Sequence, residues 1–495
     1  MVCSLMVTTG WRVAFTERRL PRPRAHDPLV DVLGGLDEWL DARGVLDGQP
    51  FLISPDGRYD VTLNRYFEQA GMSAAPWNTQ AAYARDLKNF LDFLWVNRSG
   101  KSWREAVPED RAAYERWRRK DPRGPRVEHA TWDREVATVN GFFAWAVGQG
   151  YLDASPIVQR PSRASRRWPG VGQPGTVPAE SSHTGPRRHV EWLTPVMYRQ
   201  WRDVGVRGFS PCGLPDPVFR GRFASRNAAF TDLMIRTGLR LSEQVGLSLY
   251  ELPRPVPGEV NARTWLPAPI AKGGSARSIY IPAGVLKDVR DYVEIERAEA
   301  VERARRDGLY AQIAGPLIIE NPAEPVVRVG GRQLPVGKLD HRDRVRLLVR
   351  AGDGLEPAAL WLNESGLAGT SAGYREIFKD ANRRCLRHGM IVTTHAHALR
   401  HSFAVIELEH LWRGHLEQLQ AMTPQGRMTY QRVYGDPLLW VSRRLGHRSI
   451  ETTAIYLHTL QELEMETRLA LISDWWEHTG PAPADDGLGG QGDAA

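Results

Sequence analysis

Cysteine is almost absent from this sequence: Cys3, Cys212 and Cys385 are the only three in 495 residues, far apart and without a C-x-x-C pair. That excludes a disulfide framework and a cysteine-rich zinc module, and it fits a reducing, cytoplasmic setting. Long apolar runs are missing as well. The most apolar stretches, such as Phe90 to Val96 with Asp92 inside, fall far short of the roughly 18 residues that suggest a membrane span, so a soluble chain with no membrane partner is expected. Met1 to Thr8 is mildly apolar but has neither a basic leader nor an apolar core followed by a small-residue cleavage site, so no secretory signal is expected. There is no internal repeat.

What is present is ordinary globular material with a basic excess. Hydrophobic residues make up 42% and charged residues 25%, which excludes a wholly disordered or collagen-like chain. At about 150 residues per domain the length suggests two or three. Sixty-five Lys and Arg stand against 58 Asp and Glu, leaving a net charge of +7. That balance favours a polyanionic partner, and arginine in particular grips phosphate oxygens with two parallel hydrogen bonds.

Residues 1–75 form an extension of unclear role, with a periodic apolar piece (Leu29, Val32, Leu33, Leu36, Leu40) and a Gly/Pro-punctuated run from Gly48 to Asn64. Across 76–157 the pattern turns helical. Tyr83, Leu87, Phe90, Leu91 and Leu94 make one stripe and Val136, Val139, Phe143 and Val147 another, with a charged helix between them over Glu109 to Lys120. Its Arg116, Arg119 and Lys120 share a face. The stretch 158–190 reads as a basic linker, in which Arg160, Arg163, Arg166, Arg167, Arg187 and Arg188 face a single acid, Glu180. Such a strap suits a clamp closing on duplex DNA, with Arg163, Arg166 and Arg167 as candidate DNA contacts.

The remaining body, 191–479, is mostly helical with one hairpin signal: Arg263 to Ile270, a turn at Lys272, Gly273 and Gly274, and Ala276 to Ile281. Pro267 and Pro269 confine its first strand to an edge. Two stretches, about 308–356 and 409–436, read as insertions, the first as long loops without a clean period. The tail, 480–495, has the composition of a disordered segment.

Four local patterns carry chemistry. In Thr237-Gly238-Leu239-Arg240-Leu241-Ser242-Glu243, the glycine permits a tight turn and Glu243 can orient Arg240 from three residues on. Lys272 sits at the hairpin tip, where Gly273 and Gly274 let a long side chain sweep. His397 and Arg400 are again i and i+3. Finally, Leu445-Gly446-His447-Arg448-Ser449 opens a helix that displays Tyr456.

Taken in order, TGLRLSE, AKGGSARSIYIP, THAHALRHSFA and LGHRSIETTAIYLH resemble the tyrosine recombinase (phage integrase) family. The resemblance implies a mainly α, two-lobed, C-shaped clamp with a helical core-binding domain over 76–157 and a catalytic domain over 191–479. It implies a site-specific recombinase that cuts and rejoins double-stranded DNA through a 3′-phosphotyrosyl intermediate, for a mobile element, without metal, ATP or other cofactor. Tyr456 would be the nucleophile. Arg240 and Arg400 would grip the non-bridging phosphate oxygens, and Lys272 would protonate the departing 5′-oxygen. His397 would serve as general base or hydrogen-bond partner of tyrosine and phosphate, His447 as a second phosphate donor, and Glu243 as the support of Arg240. Four protomers on two DNA sites, exchanging C-terminal helices, and a nucleoid-associated cytoplasmic location complete the expectation.

Three other readings compete. A metallohydrolase could use His395, His397, His401 and His410, but the glutamate of H-E-x-x-H is missing and Arg400 would repel a divalent cation. A non-catalytic DNA-binding paralogue would have no use for Tyr456 together with both arginines. A type IB topoisomerase shares the chemistry, but the separate helical domain and linker favour a recombinase.

Overall fold

The computed structural model describes residues 10–17, 42, 44–161, 176–179, 190–329, 331–352, 354–421 and 436–471. The chain divides into two compact units, Met1–Arg188 and His189–Ala495. Helices predominate, with small sheets of two or three strands. No helix among the described residues is long and apolar enough to cross a membrane.

In the first unit, β1 (Arg12–Phe15) pairs antiparallel with β2 (Pro50–Ile53), followed by helices α1 (Val61–Glu68), α2 (Trp77–Asn97), α3 (Pro108–Arg119) and α4 (His129–Gly148). A short antiparallel pair, β3 (Gln159–Pro161) and β4 (Thr176–Pro178), ends its described part. Leu87, Phe90, Leu91 and Leu94 of α2 pack against Val136, Val139 and Phe143 of α4, as their helical spacing requires. The same core takes in Leu52 of β2 and Leu63, Tyr66 and Phe67 of α1. The helical body therefore begins before residue 76. Asp60 caps α1, accepting from Leu63 N at 3.0 Å, and the Asn64 amide pins β2 by accepting from Leu52 N at 2.7 Å and donating to Leu52 O at 2.9 Å. Glycine and proline around this segment mask both elements in the sequence. Arg163, Arg166 and Arg167 lie outside the described residues, as do the tail and 422–435 within the second expected insertion.

The second unit runs from α5 (Pro195–Gln200) to α6 (Ala224–Thr237) and the short α7 (Leu241–Val245), then to a hairpin of β5 (Asn261–Leu266) and β6 (Arg277–Pro282). Pairing stops at Leu266 opposite Arg277, because Pro267 has no N–H to continue the ladder. The turn is accordingly ten residues long instead of a tight Gly-Gly reversal. After α8 (Ala283–Tyr292) and α9 (Ala298–Arg306) comes a small β module: β7 (Leu317–Ile319), a hairpin of β8 (Val326–Val329) and β9 (Arg332–Pro335), the short helix α10 (His341–Val345), β10 (Leu347–Ala351) and β11 (Gly354–Pro357). β10 lies parallel to β7 and antiparallel to β11. Leu317, Ile319, Val327, Leu339, Leu347 and Val349 give the module a core of its own. The segment that reads as loops thus carries five short strands, stabilised by non-local pairing that periodicity does not reveal. Helices α11 (Ser371–Arg387), α12 (Ala396–Ala421), α13 (Pro437–Leu445) and α14 (Glu451–Leu471) complete the unit.

Candidate active site

Helix α6 ends at Gly238, whose φ of 65° is left-handed. A Cβ there would lie 2.4 Å from the Phe403 ring on α12, so the glycine lets the two helices approach as well as turning the chain. Two residues on, Arg240 caps α7. Its backbone N–H donates to Glu243 Oε2 at 3.0 Å and its guanidinium to Oε1 at 2.8 Å.

Glu243 is fully buried and gathers more than Arg240. It accepts from the Arg277 guanidinium at 2.7 Å and from the backbone N–H of Lys272 at 3.3 Å. Burial alone would raise its carboxyl, but the bonds from Arg277 and Arg240 outweigh that and hold it at about 2. Arg277, at the start of β6, is itself buried and also donates to Arg444 O at 2.9 Å. Sequence reasoning missed it, since an arginine in an edge hairpin usually faces water. The only signal was its place inside the AKGGSARSIYIP motif.

Lys272 has an exposed side chain, but its backbone is tightly held. Besides the bond from Lys272 N to Glu243, Ile270 O accepts from His341 Nε2 at 3.2 Å and Gly273 O from Arg448 at 2.5 Å. The turn is therefore fixed at three points around a lysine free to reach outward.

On α12, Arg400 is almost wholly buried, and its guanidinium donates to Gly238 O and, at 2.6 Å, to Leu445 O. Burial and the nearby Arg240 lower its pKa to about 9, so it remains a cation at neutral pH. Those two carbonyls close helices α6 and α13, and Arg400 thereby ties the first motif to the last. The neighbouring His401, one turn beyond His397, has its Nδ1 2.8 Å from the Tyr456 hydroxyl. This corrects the expectation for His397: the tyrosine's hydrogen-bond partner is His401. The rings of His397 and His401 meet edge to face at 4.2 Å, and the i, i+4 spacing that suggested a metal pair is the only sequence signal for the arrangement.

Helix α13 ends at Gly446, again left-handed with φ 65°. His447 follows, its Nδ1 2.9 Å from the buried Thr453 hydroxyl and its ring stacked 6.4 Å from that of Tyr456. Burial, reinforced by Arg400 and Arg240, lowers His447 to about 3, and burial together with His397 lowers His401 to about 4. Partial desolvation and the Arg400 charge lower His397 too. All three imidazoles are neutral near pH 7. Tyr456 is buried, which raises its hydroxyl pKa, while Arg400 and Arg240 act through space in the opposite sense.

Arg240, Glu243, His397, Arg400, His447 and Tyr456 thus converge, joined by Arg277 and His401, with Lys272 close enough for its charge to depress His397. The convergence of cations, neutral imidazoles and a phenol suits a phosphodiester, whose transition state gathers negative charge on non-bridging oxygens.

Residues 63–150 match the family described as phage integrase, N-terminal SAM-like domain. The tyrosine recombinase XerC of Roseiflexus castenholzii (strain DSM 13941 / HLO8) is 24% identical over 427 residues, covering 86% of this chain and 92% of that protein. Over most of its length the chain is thus similar to tyrosine recombinases. A second tyrosine recombinase XerC, from Roseiflexus sp. (strain RS-1), is 26% identical over 176 residues, 35% of this chain and 44% of the other. Among solved structures, the chain is similar to the XerH site-specific recombinase bound to palindromic difH substrate in a post-cleavage complex, at 14% identity and a TM-score of 0.43, with 81% and 82% of the two chains covered. It is also similar to the Tn1549 transposon integrase in complex with a circular intermediate DNA, at 13% identity and a TM-score of 0.43, with 82% and 98% covered.

Proposed function

We propose that this chain is a catalytically competent tyrosine recombinase, a DNA strand transferase that recombines specific sites, serving a mobile element, through a 3′-phosphotyrosyl intermediate. The observation that carries the reading is the hydrogen bond between the Tyr456 hydroxyl and the neutral His401 imidazole, with Arg240 and Arg400 both bearing on that hydroxyl.

The Tyr456 oxygen attacks phosphorus and its proton passes to His401 Nδ1. The bond from phosphorus to the 5′-oxygen breaks, and Lys272 gives that oxygen a proton. Arg240 and Arg400, with His447 and His397 as neutral donors, stabilise charge on the non-bridging oxygens. A 5′-hydroxyl then attacks the phosphotyrosine, giving its proton back to Lys272 as the bond from phosphorus to the Tyr456 oxygen breaks and that oxygen recovers the proton held on His401; the conserved bond energy makes ATP unnecessary. Site-specific exchange requires paired sites, and four protomers on two duplexes meet that need. The linker arginines Arg163, Arg166 and Arg167 are proposed to contact the phosphate backbone.

The test is to trap covalent adducts on genomic DNA with the full chain, map their junctions, and identify the modified peptide by mass spectrometry. A nucleotide on Tyr456, and none in Tyr456→Phe although duplex binding persists, is the expected result. An adduct elsewhere, for example on Tyr430 or Tyr434, would overturn the assignment.

A further inference from the structure

The β module of 308–357 has a core of its own, yet it is bolted to the back of the site. Arg344, buried on α10, donates to Gly246 O at 3.0 Å at the end of α7, and makes two bonds of 2.9 Å to the Glu251 carboxylate. Further bonds run from Leu249 N to Ala358 O at 2.9 Å and from Leu360 N to Leu247 O at 3.0 Å. The module is therefore rigidly continuous with the segment that follows Arg240 and Glu243.

From this anchored helix His341 reaches the lysine turn, its Nε2 3.2 Å from Ile270 O. A carbonyl can only accept, so Nε2 carries the proton. The ring also packs so closely on Gly246 that a Cβ there would lie 2.6 Å from it. Ile270 and Ala271 are buried beside it, and Lys272 comes next. Burial, with the Arg344 charge adding to it, holds His341 below its ordinary value and keeps it neutral.

We propose that the β module serves the reaction as a brace, with His341 a positioning residue that sets the backbone of the Lys272 turn so that the ammonium reaches the departing 5′-oxygen. The inference rests on the general-acid role of Lys272. The tethers from Glu243 and Arg448 fix the turn at Lys272 N and Gly273 O, and His341 supplies the one on the side where the strand enters. A lysine on a turn released at that point visits the proton-transfer geometry less often, and a misplacement of about 1 Å can cost about 100-fold in rate.

The experiment uses duplexes built on a cleavage sequence mapped from the genomic adducts, with oxygen or sulfur at the scissile 5′ position. A thiolate leaves without a proton, so sulfur removes the need for an acid. With the full chain, His341→Ala and the ring-sized His341→Met should cleave the oxygen substrate about 10- to 100-fold more slowly than wild type and the sulfur substrate at the wild-type rate. His341→Gln, which retains an N–H donor at similar reach, should regain most of the lost rate. Lys272→Ala runs in parallel. If it is rescued by sulfur while His341→Met is equally slow on both substrates, or unimpaired on oxygen, the brace is overturned and the acid stands. If Lys272→Ala itself is not rescued, the general-acid reading falls and the brace with it. His341→Met and His341→Gln preserve the packed volume, so the comparison survives if His341→Ala fails to fold.

Discussion

Replacing Glu243 by glutamine should loosen the second unit by an amount that the structure sets. The carboxyl falls from an ordinary value of 4.5 to about 2 while fully buried, and at about 1.36 kcal/mol per unit that displacement corresponds to about 3 kcal/mol. Glutamine keeps the size and one acceptor but removes the charge, leaving Arg277 buried without a counterion, and breaking such a pair costs about 3 to 5 kcal/mol. The folded pKa lies below the unfolded one, so the contribution is complete above about pH 4.5 and is lost as pH falls toward 2. Urea unfolding followed by fluorescence of the buried Trp201 and Trp361 should place Glu243→Gln below wild type by about 3 kcal/mol, unchanged from pH 7 to about 5 and narrowing at lower pH. A gap under about 1 kcal/mol, or one that stays constant well below pH 4.5, would refute the account of Glu243 as the charge that gathers the two arginines.

Gly238→Ala forces a left-handed alanine into the Phe403 ring; a loss of about 2 to 4 kcal/mol in the same unfolding assay is expected, and a neutral substitution would show that α12 yields at that point. His401→Ala should slow adduct formation by about 100-fold or more without weakening duplex binding; single-turnover cleavage checks this, and an unchanged rate would mean that the tyrosine proton leaves by another route. Neutralising Arg163, Arg166 and Arg167 should flatten the salt dependence of DNA affinity, whose log-log slope is about −0.9 per phosphate contact; titration at several salt concentrations measures it, and an unchanged slope would make this stretch a solvated tether.

The residues that the fold brings together around Tyr456 could be picked out because their spacing is local: Arg240 and Glu243, and His397 and Arg400, are three residues apart, and His447 precedes the helix of Tyr456 by four residues. The partners that hold them were not. Arg277 is 34 residues from Glu243 and His341 is 71 from Ile270, so only the folded chain brings them together. His397 and His401 share a helix, and which of them faces the tyrosine depends on how α12 rotates against α14, a packing result that the motif does not encode. The β module was misread for a related reason: its strands are three to five residues long, too short to establish alternation, and its parallel pair is joined across 30 residues. Residues 50–68 escaped because their strand and helix are fixed by Asn64 and Asp60 rather than by a long apolar stripe.

The bond from Arg448 to Gly273 O spans 175 residues of sequence and hitches the loop that opens the tyrosine helix to the turn that carries the lysine. Heredity and engineering must therefore treat these two stretches as one part. A chimaera that imports a foreign 447–456 segment while retaining the native 270–277 turn exchanges one half of a matched coupling, and the foreign Tyr456 helix would then be aligned to the native Lys272 turn only by chance. Shuffling libraries should accordingly place their crossovers so that both stretches come from the same parent, however far apart they lie along the gene.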